Sequence, residues 1–394
     1  MSAASGLRRL RREEGSGLAS ADVAMVGAGQ LARMTHQAAI SLGVRLHVLA
    51  ERADDPAVLA GAPFALGSAS SLDDLRALAE RGSVLTFDHE LVPVEHLARL
   101  EAEGVSVCPP PSAFELTQDK GLARARLGAL GFPVPPWEPV SSAADVEAFA
   151  GRHGWPVVLK AASGGYDGRG VVVVSSVAEA QAVLAPPGGA RAHIAEAHVD
   201  IDSELAVVVA RSRSGAIAAY PVVQTTQVDG MCRELVMPAP VDPALARSAE
   251  ALAIDVVSAL GAVGIVAVEL FVERSGALVV NELAMRPHNS GHATMDAAAT
   301  SQFAQHLRAV LDWPLGSTEL RAPVAMVNVV GPADGSSPMD RLPLALEVPG
   351  VSVHLYAKSP RPGRKLGHVS ALGADLADAL ARARRAARAL EGGA

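Results

Sequence analysis

Two stretches of the sequence concentrate residues that could do chemistry. The first is VELFVERSGALVVNEL, residues 268–283. Turn residues Arg274, Ser275 and Gly276 divide it into two strands and place Glu269 roughly opposite Glu282. Apolar side chains alternate with them: Val266, Val268 and Leu270 on the first strand, Val279 and Leu283 on the second. Like charges facing each other across paired strands are destabilising. The pair makes sense if a hard cation bridges it. Magnesium takes one or two protein carboxylates and completes its oxygen shell with phosphates and water. Asn281 adds a neutral oxygen next door. The plainer alternative leaves one glutamate exposed at a sheet edge.

The second stretch is LKAASGGYDGRGV, residues 159–171. A hairpin turn needs one or two glycines, and here Gly164, Gly165, Gly168 and Gly170 stand beside Lys160, Asp167 and Arg169. Lys160 ends a strand and offers a point charge. The glycine backbone offers N–H groups that can approach an anion closely. A flexible flap of this kind can close over nucleotide phosphates and exclude water. It is not a Walker loop, because no G-K-[ST] follows. A third candidate is GAGQLA, residues 27–32, with Glu51 about twenty residues on. This fits the dinucleotide fingerprint, and a tight strand-to-helix turn explains the glycines as well.

These residues need a scaffold. A chain of 394 residues can build two or three domains with their own cores, and 49% apolar content makes it globular. The net charge of -8 argues against nucleic acid as main partner but leaves room for a local basic pocket. Cys108 and Cys232 are the only cysteines, which suits a reducing cytoplasm, and no zinc-ligand spacing is present. Residues 1–20 read as a disordered tail without a signal-peptide core. No window is apolar enough for a membrane helix.

The periodicities predict strand, glycine loop, helix and strand over residues 23–49, hence a parallel α/β domain at 21–120. A strand ending at 88–90 falls where such sheets place their sites. A smaller unit at 121–190 carries the glycine flap as a hairpin from 156 to 175. A larger unit at 191–320 begins with strands at 193–197 and 205–210. It continues with a helix at 243–260 and the carboxylate hairpin. Residues 321–394 add strands and a final amphipathic helix. His292 and His306 read as structural, and His36 as a satisfied surface or dimer residue.

Flap lysine, glycine-rich turn and E…N-E hairpin together resemble the ATP-grasp superfamily. GAGQLARM, TFDHELVP, GGYDGRG, NELAMRPHNSGH and RPGRKLGH, in that order and spacing, resemble the family of 5-(carboxyamino)imidazole ribonucleotide synthases, from about residue 23 to 373. The resemblance implies an α/β ATP-grasp fold of three domains, with an N-terminal Rossmann-like parallel sheet and a central flap domain. The last segment, 321–394, would pack on the large domain. It implies a cytoplasmic, homodimeric ligase of purine (IMP) biosynthesis that uses ATP, magnesium and bicarbonate to carboxylate 5-aminoimidazole ribonucleotide.

Roles follow residue by residue. ATP would be held by Lys120, Lys160, Gly165, Tyr166, Asp167, Gly168, Arg169 and Gly170, with Glu196, Ala197, His198 and Val199 at the adenine. Glu204, Gln227, Asn281 and Glu282 would complete that shell. Glu269 and Glu282 would bind magnesium. Arg286, His288 and Asn289 would surround bicarbonate and the transferring phosphoryl group. Gly29, Gln30, Leu31, Glu90, Tyr166 and Arg169 would line the ribonucleotide pocket, and Lys358, Arg364 and Lys365 would hold its phosphate. Met285 and Ala293 stand where relatives commonly have proline and tryptophan. Gln227 stands where several have histidine, and Glu115 where some have a basic residue. The competing readings are a formate-using transformylase or another carboxylate–amine ligase, a Rossmann oxidoreductase, and a non-catalytic nucleotide binder.

Overall fold

The computed structural model describes residues 21–164, 170–185 and 192–393. The first unit runs β1 (Ala21–Val26), α1 (Gln30–Leu42), β2 (Val44–Ala50), α2 (Pro56–Leu59), β3 (Phe64–Leu66), α3 (Leu72–Ala79) and β4 (Leu85–Phe87). Two further helices follow, α4 (Val94–Ala102) and α5 (Pro111–Gln118). The strands form a parallel sheet in the order β3-β2-β1-β4. Val23, Met25, Leu46 and Val48 fill one side of it, and Val26, Leu75, Leu85 and Phe87 the other. Both faces are covered, as a parallel sheet requires.

The second unit holds α6 (Lys120–Ala129), β5 (Trp137–Val140), α7 (Ala143–His153), β6 (Val157–Ala161), β7 (Val171–Val174), α8 (Val177–Leu184) and β8 (His193–Ala197). Its antiparallel sheet has the order β5-β8-β6-β7. The expected hairpin is β6 with β7, from Val157↔Val174 to Lys160↔Val171. The sequence reading assigned β8 to the next unit because of the break near 187. The structure instead seats it between β5 and β6, so the small core closes only when the chain returns across that break.

The large sheet contains β9 (Ile201–Arg211), β10 (Ile217–Ala219), β11 (Val223–Val228), β12 (Met231–Met237), β13 (Gly264–Glu273) and β14 (Leu278–Ala284). Helix α9 (Pro243–Leu260) covers one face with Ala249, Ala253, Val256 and Val257. Between the last hairpin and the next strand lie α10 (Thr294–Ala297) and α11 (Gln302–Val310). The C-terminal elements are β15 (Val324–Val330), α12 (Leu342–Leu346), β16 (Val351–Leu355), β17 (Lys365–Leu372) and α13 (Leu376–Glu391). They do not form a separate sheet. Strand order runs β14-β13-β9-β11-β12-β15-β17-β16, with β10 attached to β9. Helix α13 packs an alanine stripe, Ala379, Ala383, Ala386 and Ala387, on β15 and β17.

His306 ties the first unit to this sheet. Its Nε2 meets Thr86 Oγ1 at 2.8 Å and its Nδ1 accepts from Ile265 N–H at 3.1 Å. Burial pushes its pKa down to about 3, so it stays neutral and structural. His36 differs from expectation. It is buried on α1, and its Nδ1 has no hydrogen-bond partner among the described residues.

The turn between β1 and α1 is fixed by Asp88, just beyond β4. Its Oδ2 accepts from Gly29 N–H at 2.6 Å and from Ala32 N–H at 3.3 Å. The helix N-terminus, where a dinucleotide pyrophosphate would sit, is thus capped by the protein's own carboxylate. Gly27 has φ +95°, and a Cβ there would meet Asp88 Oδ1 at 2.1 Å. Gly27→Ala should therefore lose at least about 1–3 kcal/mol of stability from backbone strain alone. Urea unfolding is the check, and an unchanged midpoint would contradict this account of the turn.

Candidate active site

The carboxylate hairpin forms in the expected register, with Glu269 opposite Glu282. The register then shifts, because Leu270 faces Val280 and Asn281 is the extra residue. Such a bulge re-aims side chains. It lets consecutive residues, Asn281 and Glu282, both reach the same cluster of cations. Asn281 Oδ1 accepts from Lys160 Nζ at 3.3 Å, and Glu282 pairs with Lys120. Strand β14 is a sheet edge, and the Glu282 side chain is 49% exposed. The alternative of one exposed edge glutamate therefore describes Glu282 in part, but Lys120 holds it in the cleft.

Glu269 is the more constrained partner. Burial, then the charges of Glu282 and Glu204, push its pKa up to about 8. His288 Nε2 approaches Glu269 Oε1 at 3.6 Å. Burial and then Arg286 push the imidazole down to about 3, so it is neutral near pH 7. Ser290 N–H donates to His288 Nδ1, which leaves the ring proton on Nε2, toward the carboxylate.

A second cluster joins three elements behind the first. Glu196 on β8 accepts from Arg124 on α6 at 2.7 Å and pairs with Lys160 on β6 at 2.7 Å. Arg124 also donates to Asn281 O at 2.6 Å. All three charged side chains are buried. Burial opposes the charge on Glu196, but Arg124 and Lys160 overcome it and hold the carboxyl below its ordinary value. Burial pulls Lys160 down. Two cations share one carboxylate here, leaving positive charge directed at the cleft.

The first unit contributes Glu90. Its Oε1 accepts from Met285 N–H at 3.3 Å and lies 3.4 Å from Arg286 Nε. Burial raises the Glu90 pKa, Arg286 opposes this, and Glu282 adds to it. The Arg286 contacts are long. Its buried Nε lacks hydrogen-bond geometry to any acceptor among the described residues. Asn289 exchanges amide hydrogen bonds with Asn328 on β15, at 3.0 and 2.9 Å.

At the far side, Arg364 donates to Ser359 O at 3.1 Å and has its pKa lowered by burial, then by Arg361 and Arg52. Lys365 begins β17 and influences both Glu269 and His288. Lys358 Nζ lies 5.7 Å over the Tyr356 ring.

Known proteins match this arrangement in three consecutive blocks. Residues 21–118 match the ribonucleotide synthetase preATP-grasp domain, 125–303 the ATP-grasp domain, and 324–382 the phosphoribosylaminoimidazole carboxylase C-terminal domain. The N5-carboxyaminoimidazole ribonucleotide synthase of Mycobacterium tuberculosis is 50% identical over 377 residues, which is 94% of this chain and 88% of that protein. The chain belongs to the N5-carboxyaminoimidazole ribonucleotide synthase family. The crystal structure of the synthetase from Thermotoga maritima superposes with a TM-score of 0.83 at 35% identity, covering 93% of this chain and 98% of that one. The Aspergillus clavatus synthase, in complex with ADP and 5-aminoimidazole ribonucleotide, gives 0.86 at 30% identity, covering 95% and 99%.

Among the expected ATP residues, the structure brings together Lys120, Lys160, Glu196, Asn281 and Glu282. Ala197 ends β8, with His198 and Val199 in the link to β9. Glu204, half-buried on β9, is hydrogen-bonded by Gln227, and burial raises its pKa. Gln227 thus serves as a partner of Glu204. Gly170 follows the segment 165–169, and Gly165, Tyr166, Asp167, Gly168 and Arg169 lie outside the described residues. Of the expected ribonucleotide residues, Gly29 donates its N–H to Asp88. Gln30 is half-buried at the start of α1. Leu31 packs its side chain against Met34, Phe303 and Tyr356, leaving only its backbone for a ligand.

Arg124 and Gln302 have no place in the sequence reading, which includes Asp88 only as part of the strand end at 88–90, where such sheets place their sites. The S/T/D signature for a cap could have drawn attention to Asp88 only if its distance from α1 had been known.

A divalent cation between Glu269 and Glu282 would need both carboxylates ionised, so its binding must expel the Glu269 proton. With a pKa of about 8, the site should release roughly nine-tenths of a proton at pH 7 and almost none at pH 10. Affinity then rises with pH and levels off above 8. Calorimetric titration of manganese in buffers of different ionisation enthalpy reads this directly. Release that persists in Glu269→Gln would reassign the proton.

Proposed function

We propose that this chain carboxylates the exocyclic amine of 5-aminoimidazole ribonucleotide with bicarbonate. The reaction would consume ATP and release ADP and phosphate, in purine biosynthesis. The observation that carries this reading is the facing pair Glu269 and Glu282 within a ring of cations, in a chain of this family. Magnesium held by these carboxylates would neutralise phosphate oxygens during phosphoryl transfer.

The chain's own residues supply the rest. Lys160, with the positive charge that Arg124 adds behind it, attracts the nucleotide phosphates. Lys120, paired with Glu282 here, would be free to turn toward a phosphate if Glu282 held a cation. Arg286, held to Glu90 only by long contacts, offers its guanidinium to the bicarbonate or to the transferring group. Neutral His288 offers Nε2–H without adding charge. The first step yields carboxyphosphate. The amine then attacks carboxyphosphate, or carbon dioxide released from it, and phosphate leaves. Arg364, crowded by Arg361 and Arg52, gains from an anion, which suits a 5′-phosphate. A homodimer in the cytoplasm belongs to this reading and rests on the resemblance. No helix among the described residues is long and apolar enough to cross a membrane.

ADP release measured with and without bicarbonate and the ribonucleotide tests the reaction. Stimulation by both is expected, whereas formate dependence would indicate a transformylase instead. Glu269→Gln and Glu282→Gln should each abolish most turnover while leaving the fold intact. Near-normal ADP release by either at low magnesium would refute the two-carboxylate site. Arg364→Ala should raise the KM for the ribonucleotide about tenfold or more, the worth of one charge-assisted hydrogen bond. The KM for ATP should barely move, and an equal loss toward both substrates would move the phosphate site elsewhere.

A further inference from the structure

The turn that carries His288 and Asn289 closes on itself through Gly291 N–H to His288 O, and one buried amide ties it to the next helix. Gln302, the first residue of α11, is fully buried. Its Oε1 accepts from His288 N–H at 2.9 Å, and its Nε2 donates to His288 O at 2.8 Å. The remaining Nε2 hydrogen meets His292 Nδ1 at 2.9 Å. The amide orientation is determined, because only an oxygen can face the His288 N–H and only an NH₂ the two acceptors. Gln302 N–H donates to Thr294 Oγ1, which donates in turn to Gly291 O. Gly291 must be glycine, since a Cβ there would lie 2.3 Å from Gln302 Oε1.

The His288 N–H is therefore spent on a side chain from a different element, and the His288 carbonyl is shared between that side chain and Gly291 N–H at 3.0 Å. On that anchored backbone the imidazole rests with Nδ1 on Ser290 and Nε2 toward Glu269. A buried amide with every hydrogen bond made also costs a great deal to misplace. We propose that Gln302 is a positioning residue for the reaction: its carboxamide clamps the His288 backbone and so holds the imidazole Nε2–H at the carboxylate site. The clamp deepens the reading above, on which the role of His288 rests, by naming what aims its donor.

Gln302→Glu keeps the size and the acceptor for His288 N–H. It replaces the NH₂ by an oxygen that faces two acceptors, His288 O and His292 Nδ1. The titratable groups around this position are His288 and His292, and the charges acting on His292 include Lys365, His354 and Arg286. Protonating the introduced carboxyl restores one donor. The expected result is a fall in kcat of about tenfold or more at pH 8, with the KM for ATP within about twofold. Part of the loss should be recovered relative to wild type as the pH is lowered. Gln302→Leu should lose as much and recover nothing.

Amide hydrogen exchange at His288 checks the clamp without reference to turnover. The amide should be protected in the wild type and exchange faster in either variant. Fast exchange in the wild type overturns the proposal even if neither variant folds. Wild-type kcat in Gln302→Glu at pH 8 overturns it too, as does a loss with no pH recovery that is shared with the KM for ATP. Bicarbonate-independent ADP release by the wild type would instead refute the reaction, and the exchange result would still decide the clamp.

Discussion

Two carboxylates face each other across β13 and β14, and the cleft is arranged around their repulsion. Left alone, Glu269 and Glu282 would disfavour the hairpin that carries them. Lys120 draws Glu282 aside, and burial keeps Glu269 protonated through neutral pH. The pair is thus tolerable without a cation and ready for one. The positive groups nearby follow the same logic. Lys160 and Arg124 share Glu196, and Arg286 is only loosely satisfied by Glu90. Each of these cations keeps a carboxylate partner in the ligand-free chain, tightly for Lys160 and Arg124 and loosely for Arg286.

Much of this was legible in the sequence, because alternation and turn chemistry are local. Val266, Val268 and Leu270 with Arg274, Ser275 and Gly276 specify a hairpin that brings Glu269 and Glu282 to neighbouring positions, although a regular ladder from that turn would set Glu269 against Asn281, and the bulge is what puts Glu282 opposite. Lys160 at a strand end before a glycine run has the same local character. The bulge at Asn281 left no local mark, since Asn281 fits a regular strand as well as a bulged one. Arg124 illustrates another limit. An arginine on a helix carries no mark of its partner, and only the approach of β8 and β14 makes this one a buried bridge. Strand β8 was misplaced for the same reason, because partner choice in a sheet depends on contacts made across a long stretch of chain.

Asp88 and Gln302 reveal a shared device. Each uses one polar side chain to satisfy backbone groups of a segment distant in sequence, and each makes a glycine obligatory where it docks. Gly27 and Gly291 are therefore small because a side chain from elsewhere fills their space. A sequence motif records the glycine and omits the residue that requires it.

The order β12-β15-β17-β16 has a consequence for the nascent chain. Strand β12 has its inner neighbour early but receives β15 only after residue 324 has been made. Until then β12 presents a row of open N–H and C=O groups, the kind of edge that recruits stray strands. The alanine stripe of α13, which seals β15 and β17, arrives last of all. Protection against aggregation during synthesis thus falls to the end of translation, and a ribosome that stalls before β15 would release a chain carrying the carboxylate hairpin and an uncapped sheet.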